Sequence, residues 1–304
     1  MKNKIIISRI SGGLGNQLFQ YAVARSIAEN NGAQTVLDTS WFINNKNDTK
    51  RDFLLPFFNI SAREMKKEDE KNINLPDTIN NTFYNKIKRK IFRILENLKP
   101  LDKKKFIIEP SFNFHPEILK IRNSCYLSGV WQSEKYFKEI EDIIRKEFTL
   151  KNKPAKKTGE WIEKIENANS VSLHIRRGDY VENQKTNQFH GTCDLGYYEK
   201  AIKIISEKIK NPEFFIFSDD INWAKDNLKI NFPTYFVSDK DIPDYEELIV
   251  MSKCKHDIIA NSSFSWWGAW LNQNKDKIVI APKNWFKAKH LDTKDLIPES
   301  WLTI

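Results

Sequence analysis

The chain has 304 residues, 40% of them hydrophobic, with nine Trp and a formal charge of +9. That length suits two domains of about 100–200 residues each, and the apolar content excludes global disorder. No run approaches the ~18 apolar residues of a membrane span, and three Cys without a CxxC pair argue against a disulfide framework or a zinc site.

The apolar part of residues 1–9 is short for a signal peptide and is broken by Arg9, so a cytoplasmic location is expected. The charge is uneven. Residues 86–105 carry nine basic residues against Glu96 and Asp102, a net +7, whereas residues 151–304 carry 23 basic and 22 acidic residues, a net +1. A local excess of this kind argues against a nucleic-acid groove along the whole protein.

Residues 4–9 form an apolar strand that enters the turn Ile10-Ser-Gly-Gly-Leu-Gly-Asn-Gln17. The spacing of Leu18, Tyr21, Ala22, Ala24, Ile27 and Ala28 predicts a helix over 18–30, with Gly32 as its stop, before a second strand over 35–38. Backbone N–H groups of a glycine-rich turn at a helix N-terminus can meet an anion or polar ligand closely. Gly13 and Gly15, with Asp38 ending the second strand, supply half of a dinucleotide-binding fingerprint, but Leu18 stands where its third glycine belongs. The alternative is a tight turn whose glycines serve packing alone. Asn16 and Gln17 place two amides at its mouth, suited to hydroxyl-rich ligands.

Residues 52–60 are apolar core, and 61–71 are expected to form a charged, solvated helix. A basic helix follows over 83–98, with Ile87, Ile91, Ile94, Leu95 and Leu98 in one stripe. Two readings fit it: an exposed helix that packs on the domain, or attraction to an anionic membrane face or lipid-linked substrate. A strand is predicted over 125–130 and a helix, capped by Ser133, over 134–148. Residues 149–158 lack periodicity and contain Pro154, so the domain division is placed at 152/153. Beyond it, strands at 171–176, 214–218, 234–237, 256–260 and 277–281 alternate with helices at 196–210, 221–228, 243–253 and 263–272. That order means a parallel sheet with helices on both faces. The tail, with Trp285, Phe286 and Trp301, is expected to pack back onto it.

Three clusters fall at strand C-terminal ends, where parallel α/β sheets bind ligands. Val171 to Ile175 alternate as a strand buried on one face, leading into Arg176, Arg177 and the break at Gly178. His174 and the two arginines form a fork of donors suited to a diphosphate, or the arginines pair with nearby acids, Asp179 first among them. Asp219 and Asp220 end the next strand. They resemble a metal-binding pair without the separated Asp-x-Asp spacing, or they cap the following helix. The third cluster is Asn261-Ser-Ser-Phe-Ser265, a strand-to-helix turn with polar side chains at Asn261, Ser262, Ser263 and Ser265, suited to diphosphate without a metal. Trp266 and Trp270, at i and i+4, anchor that helix to the core.

The stretches Gly12-Gly-Leu-Gly-Asn-Gln-Leu-Phe-Gln-Tyr21, Gly129-Val-Trp-Gln-Ser-Glu-Lys-Tyr-Phe137, His174-Ile-Arg-Arg-Gly-Asp-Tyr180, Phe217-Ser-Asp-Asp220 and Ile258-Ile-Ala-Asn-Ser-Ser-Phe-Ser-Trp-Trp267 together resemble the alpha-1,2-fucosyltransferases. The resemblance implies an α/β fold of GT-B type, with two Rossmann-like domains facing across a cleft: residues 1–152 on the acceptor side and 153–304 holding GDP-fucose. It implies inverting transfer of fucose to the 2-hydroxyl of a galactose, on an oligosaccharide or lipid-linked glycan, with no metal and no cofactor. By that likeness Arg176 is expected on the β-phosphate with Arg177 in support, and His174 near the nucleotide. Glu247 is expected to accept from guanine, and Asn16 to face the fucose. Gly13, Gly15, Gln17, Asn261, Ser262, Ser263, Phe264 and Ser265 complete the expected donor site. Asp179 and Glu182 are the nearest candidates for a base, and Asp179 could instead orient an arginine. The rivals are an oxidoreductase built on Gly13, Gly15 and Asp38, and a non-catalytic glycan-binding protein.

Overall fold

The computed structural model describes residues 4–44, 50–73, 87, 90–92, 94–96, 98–178, 189, 191–288 and 291–304. The chain divides into two compact units, Met1–Phe148 and Thr149–Ile304.

In the first unit, strands β1 (Ile5–Arg9), β2 (Gln34–Asp38), β3 (Ala62–Glu64), β4 (Phe106–Ile108) and β5 (Cys125–Ser128) form a parallel sheet in the order β3-β2-β1-β5-β4. Helix α1 (Leu14–Asn31) starts four residues earlier than its periodicity predicts. Gly12 takes the left-handed φ of 76° that lets the chain turn from β1 straight into the helix. Leu14, Leu18, Phe19, Tyr21, Val23 and Ile27 are all buried, so α1 is covered on nearly every side. Gly32 ends it at a φ of 58°, its N–H returning to Ala28 and Glu29.

Helices α2 (Ser40–Asn44) and α3 (Lys67–Asn72) are short. The helix expected over 61–71 is a correction: its first part is the edge strand β3, whose Arg63 reaches Asp69 at 2.6 and 2.8 Å. The region after Ser133 also differs. Ser133 does cap, but two 3-10 turns, Glu134–Tyr136 and Lys138–Ile140, precede helix α4 (Glu141–Glu147).

In the second unit, α5 (Lys156–Glu166) begins inside the stretch expected to be structureless. Buried Glu246 accepts from the Ala155 N–H at 3.2 Å and from the Thr158 hydroxyl, holding the start of that helix. Strands β6 (Ser170–Ile175), β7 (Glu213–Ser218), β8 (Thr234–Phe236), β9 (His256–Ile258), β10 (Val279–Ala281) and β11 (Leu302–Thr303) form a parallel sheet in the order β11-β10-β9-β6-β7-β8. Helices α6 (Leu195–Lys208), α7 (Ile221–Asn227), α8 (Asp244–Ser252) and α9 (Ser263–Leu271) connect them.

β6 lies mid-sheet and is buried on both faces, not one. Phe214 and Ile216 pack with Val171 and Leu173, while Phe215 and Phe217 pack with Val250 and Met251 on the other face. Of the polar side chains of β6, Ser172 is matched in this core: its hydroxyl donates to Asp257 at 2.6 Å, and the Asn272 amide donates to the other Asp257 oxygen at 2.8 Å. Gly268 sits mid-helix in α9 because a Cβ there would come within 2.4 Å of Met251 Sδ. Trp266 and Trp270 stack at 6.2 Å within the core, and the Trp266 indole N–H donates to Leu296. Trp285, Phe286 and Trp301 of the tail are buried.

Candidate active site

β9, β6 and β7 are neighbours, so the loops at their C-terminal ends share one sheet edge. Arg176 and Arg177 leave β6. Their partners come from the loop after β7. Arg176 Nη1 lies 3.1 Å from Asp219 Oδ2, and the Arg177 backbone N–H donates to Asp219 Oδ1 at 2.8 Å. A Cβ at Gly178 would stand 2.7 Å from Asp219 Oδ2 and displace that carboxylate from the arginines. The Arg177 guanidinium carbon lies 3.9 Å above the centre of the Trp223 ring. Its Nε is 3.5 Å from Asp220 Oδ2, close enough for an ion pair but not aligned for a hydrogen bond. Asp220 also caps α7, accepting from the Trp223 N–H at 3.1 Å.

Asp219 therefore aims the arginine fork, and Asp220 divides its charge between Arg177 and a helix. The expected partner Asp179, with the other candidate base Glu182, lies outside the described residues. The two arginines and two aspartates cancel in formal charge, and the N-terminus of α9 adds the positive end of a helix dipole at the same sheet edge.

At the tip of α9, Ser262 is the N-cap, its hydroxyl accepting from the Phe264 N–H at 3.3 Å. Ser263 and Phe264 are partly exposed. Asn261 and Ser265 are corrections to the expected ring of polar groups. The Asn261 amide is buried and donates to the Gly191 and Trp285 carbonyls, both at 3.1 Å. The Ser265 hydroxyl is buried and returns to Ser262 O at 3.2 Å. These two side chains build the loop, and Ser262 is buried as the cap, so Ser263 is the partly exposed hydroxyl at the helix tip.

His174, expected near the nucleotide, precedes the two arginines in the chain. It lies inside β6, its ring 5.7 Å from that of Phe264, with Nδ1 buried and lacking a hydrogen-bond partner. Burial, with Arg176 nearby, pushes its pKa down to about 3, so the ring is neutral.

Glu247, on α8, is partly exposed by surface area, yet protein atoms crowd its carboxyl. That burial, opposed by a hydrogen bond from Ser238 and reinforced by Asp244 and Asp219, pushes it up to about 8. Ser238 also accepts from the Ser218 N–H at 2.8 Å, which ties Glu247 to the end of β7.

In the first unit, the glycine loop is held mainly by its own side chains. Gln17 is fully buried, donating to the Gly12 and Asp52 carbonyls at 3.0 and 2.8 Å and accepting from the Leu54 N–H at 2.9 Å. It braces the loop and is not placed to bind a donor. Gln20 spans Ser11 and Gly129, and Tyr21 donates to Glu147. Gly13 is the N-cap of α1 and Gly15 is buried in its first turn. Asn16 alone of the motif's amides is partly exposed, accepting from Gln132 Nε2 at 2.8 Å.

Asp38 is buried, accepting from the Tyr126 hydroxyl and from the Ser40 N–H at 3.0 Å. It is committed to the fold and not presented to a ribose, which removes the dinucleotide reading.

Sequence reasoning missed Glu109 and Gln132. Both Glu109 oxygens accept backbone N–H groups, from Val130 at 2.6 Å and Trp131 at 2.9 Å, while burial pushes the carboxyl up to about 7. This bracing holds Trp131 at its left-handed φ of 56° and sets Gln132 against Asn16. The quoted Gly129-Val-Trp-Gln stretch was the available signal for Gln132. Nothing in the sequence pairs Glu109 with it.

Comparisons with known proteins bear on the chain's family and fold. The family described as glycosyl transferase family 11 matches residues 5–304. The chain is 35% identical to the O-antigen biosynthesis glycosyltransferase WbnK of Escherichia coli, over 98% of this chain and 99% of that one. It is 36% identical to an alpha-1,2-colitosyltransferase of Escherichia coli, over 99% of both. Among solved structures, the fucosyltransferase NodZ from Bradyrhizobium matches with a TM-score of 0.51 at 14% identity, over 88% of this chain and 92% of that one. That likeness concerns fold alone, and the fold is of GT-B type, with two parallel-sheet α/β units.

Proposed function

The chain belongs to glycosyl transferase family 11, the alpha-1,2-fucosyltransferase family, and from that premise we propose that it moves L-fucose from GDP-fucose to the 2-hydroxyl of a terminal galactose, with inversion and without a metal. The observation that carries this reading is the oriented fork of Arg176 and Arg177 beside the Ser262–Ser263 helix tip on one sheet edge.

In the proposed step the galactose hydroxyl oxygen bonds to the anomeric carbon as its bond to the β-phosphate oxygen breaks. The electron pair leaves on GDP, and the hydroxyl proton passes to solvent water. Negative charge grows on the diphosphate while the sugar becomes cation-like. Arg176, held from behind by Asp219, meets that charge without reorganising, and Ser263 with the first N–H groups of α9 meets it from the other side. In this reading the arginine fork and the helix tip carry the charge that a divalent ion would otherwise meet, so transfer is expected to persist in excess EDTA. Complete loss in EDTA, restored by a divalent cation, would remove the metal-free claim.

The identity to an alpha-1,2-colitosyltransferase favours a second reading with the same chemistry and a GDP-colitose donor. Colitose is fucose without its 3-hydroxyl. A site that hydrogen-bonds that hydroxyl rejects the deoxy sugar by about 10⁴–10⁵, whereas an apolar pocket separates the two by roughly 10–200-fold. Rates with GDP-fucose and GDP-colitose on one galactoside acceptor choose between them. A faster rate with GDP-colitose assigns that donor.

A further inference from the structure

The basic segment 86–105 has a feature that transfer chemistry does not use. Residues 87, 90–92 and 94–96 are helical. The helix is fixed to the first unit by one face. Phe92 packs edge-on against Phe106 of β4 at 6.3 Å. Glu96, buried, accepts from the Lys105 N–H at 2.6 Å and pairs with Lys99. Burial alone would raise the Glu96 carboxyl, but these partners outweigh it and hold it below its ordinary range. The helix is thus anchored by Phe92 and Glu96 and not by its aliphatic stripe.

That stripe faces solvent. Ile87, Ile91, Ile94, Leu95 and Leu98 are 44%, 51%, 53%, 55% and 79% exposed. At helical spacing Ile87, Ile91, Ile94 and Leu95 cover an arc of about 100°, and Leu98 follows in a turn. Five large exposed aliphatics in one stripe make a contiguous patch of the kind that marks an interaction surface. Lys90 flanks the arc and is exposed, Lys103 is exposed beyond its end, and the segment carries net +7. Apolar side chains between cations fit an anionic bilayer, the aliphatics entering the acyl boundary and the cations meeting headgroups. A second copy of the chain is a poor occupant, since a symmetric contact would set two net +7 segments together.

We propose that the stripe of Ile87, Ile91, Ile94, Leu95 and Leu98 lies in the surface of an anionic phospholipid bilayer, docking the first unit on the membrane. No helix among the described residues is long and apolar enough to cross one, so this contact is interfacial.

The test is sedimentation of the full chain with vesicles of phosphatidylglycerol and phosphatidylethanolamine, against phosphatidylcholine alone. Binding to the anionic vesicles is expected, with little to phosphatidylcholine. It should weaken as NaCl rises from ~0.1 to ~1 M, where the screening length falls from ~10 to ~3 Å. The triple variant Ile91→Ser, Leu95→Ser, Leu98→Ser should lose more than about tenfold in partitioning, and Lys90→Gln roughly fivefold. Both should keep the melting temperature and transfer to a soluble acceptor, since the changed side chains are exposed. Failure to bind anionic vesicles, or binding that the triple variant leaves intact, overturns the proposal. So does a concentration-dependent dimer abolished by the same variant without vesicle binding, which would assign the stripe to self-association.

Discussion

Arg176→Ala is expected to lower kcat for fucosyl transfer by about 10²–10³, the usual effect of removing one preorganised stabiliser of transition-state charge. The fold should survive. The Arg176 and Asp219 side chains are 20% and 25% exposed, so the ion pair itself is worth only about 0–1 kcal/mol. The melting temperature should therefore move little while the rate collapses. Arg176→Lys should restore only part of the rate, because an ammonium keeps the charge without the fork that Asp219 orients. Steady-state rates with GDP-fucose and circular dichroism on the same preparations decide the matter. A variant near full rate, with an unchanged melting curve, would take Arg176 out of the chemistry.

Glu247 sets the second large effect, through pH. Its carboxyl in the free protein is pushed up to about 8 by burial, with Asp244 and Asp219 adding to it. Accepting from the guanine N1–H and exocyclic amine needs the ionised form. At pH 7 about one molecule in eleven carries it, so the apparent donor affinity is lowered roughly tenfold. KM for the GDP-sugar should fall by about that factor from pH 7 to 9, and Glu247→Gln should hold it high and flat. Stability should run the other way. The folded protein keeps a proton that the unfolded chain releases near 4.5, so stability from this group falls as pH rises from about 4.5 through about 8. The Gln variant should lack that loss. A donor KM that ignores pH in the wild-type protein would separate Glu247 from the base.

Much of the second unit was legible because its strands are short apolar runs separated by helical spacing. The chemistry was legible only in part, and the reason is spatial. Arg176 and Arg177 announce a donor fork in one dimension. Their fixed partner Asp219 lies on the neighbouring strand's loop, and strand adjacency is not written locally. The same blindness gave Asn261 and Ser265 to the ligand, when their hydrogen bonds run to Gly191, Trp285 and Ser262. In the first unit Gln17 reads as a ligand-facing amide, yet three backbone partners hold it inside. The edge strand β3 escaped because its residues, Ala62, Arg63 and Glu64, carry no apolar alternation. The stripe over 87–98 was visible from spacing, but which face turned inward depended on Phe92 and Glu96 finding β4.

A crystal of the protein grown with GDP tests the central claim most directly. The diphosphate should lie within hydrogen-bond distance of the Arg176 guanidinium and of the Ser263 end of α9, and the guanine should lie against Glu247. GDP bound elsewhere, with Arg176 still held only by protein groups, would contradict the account.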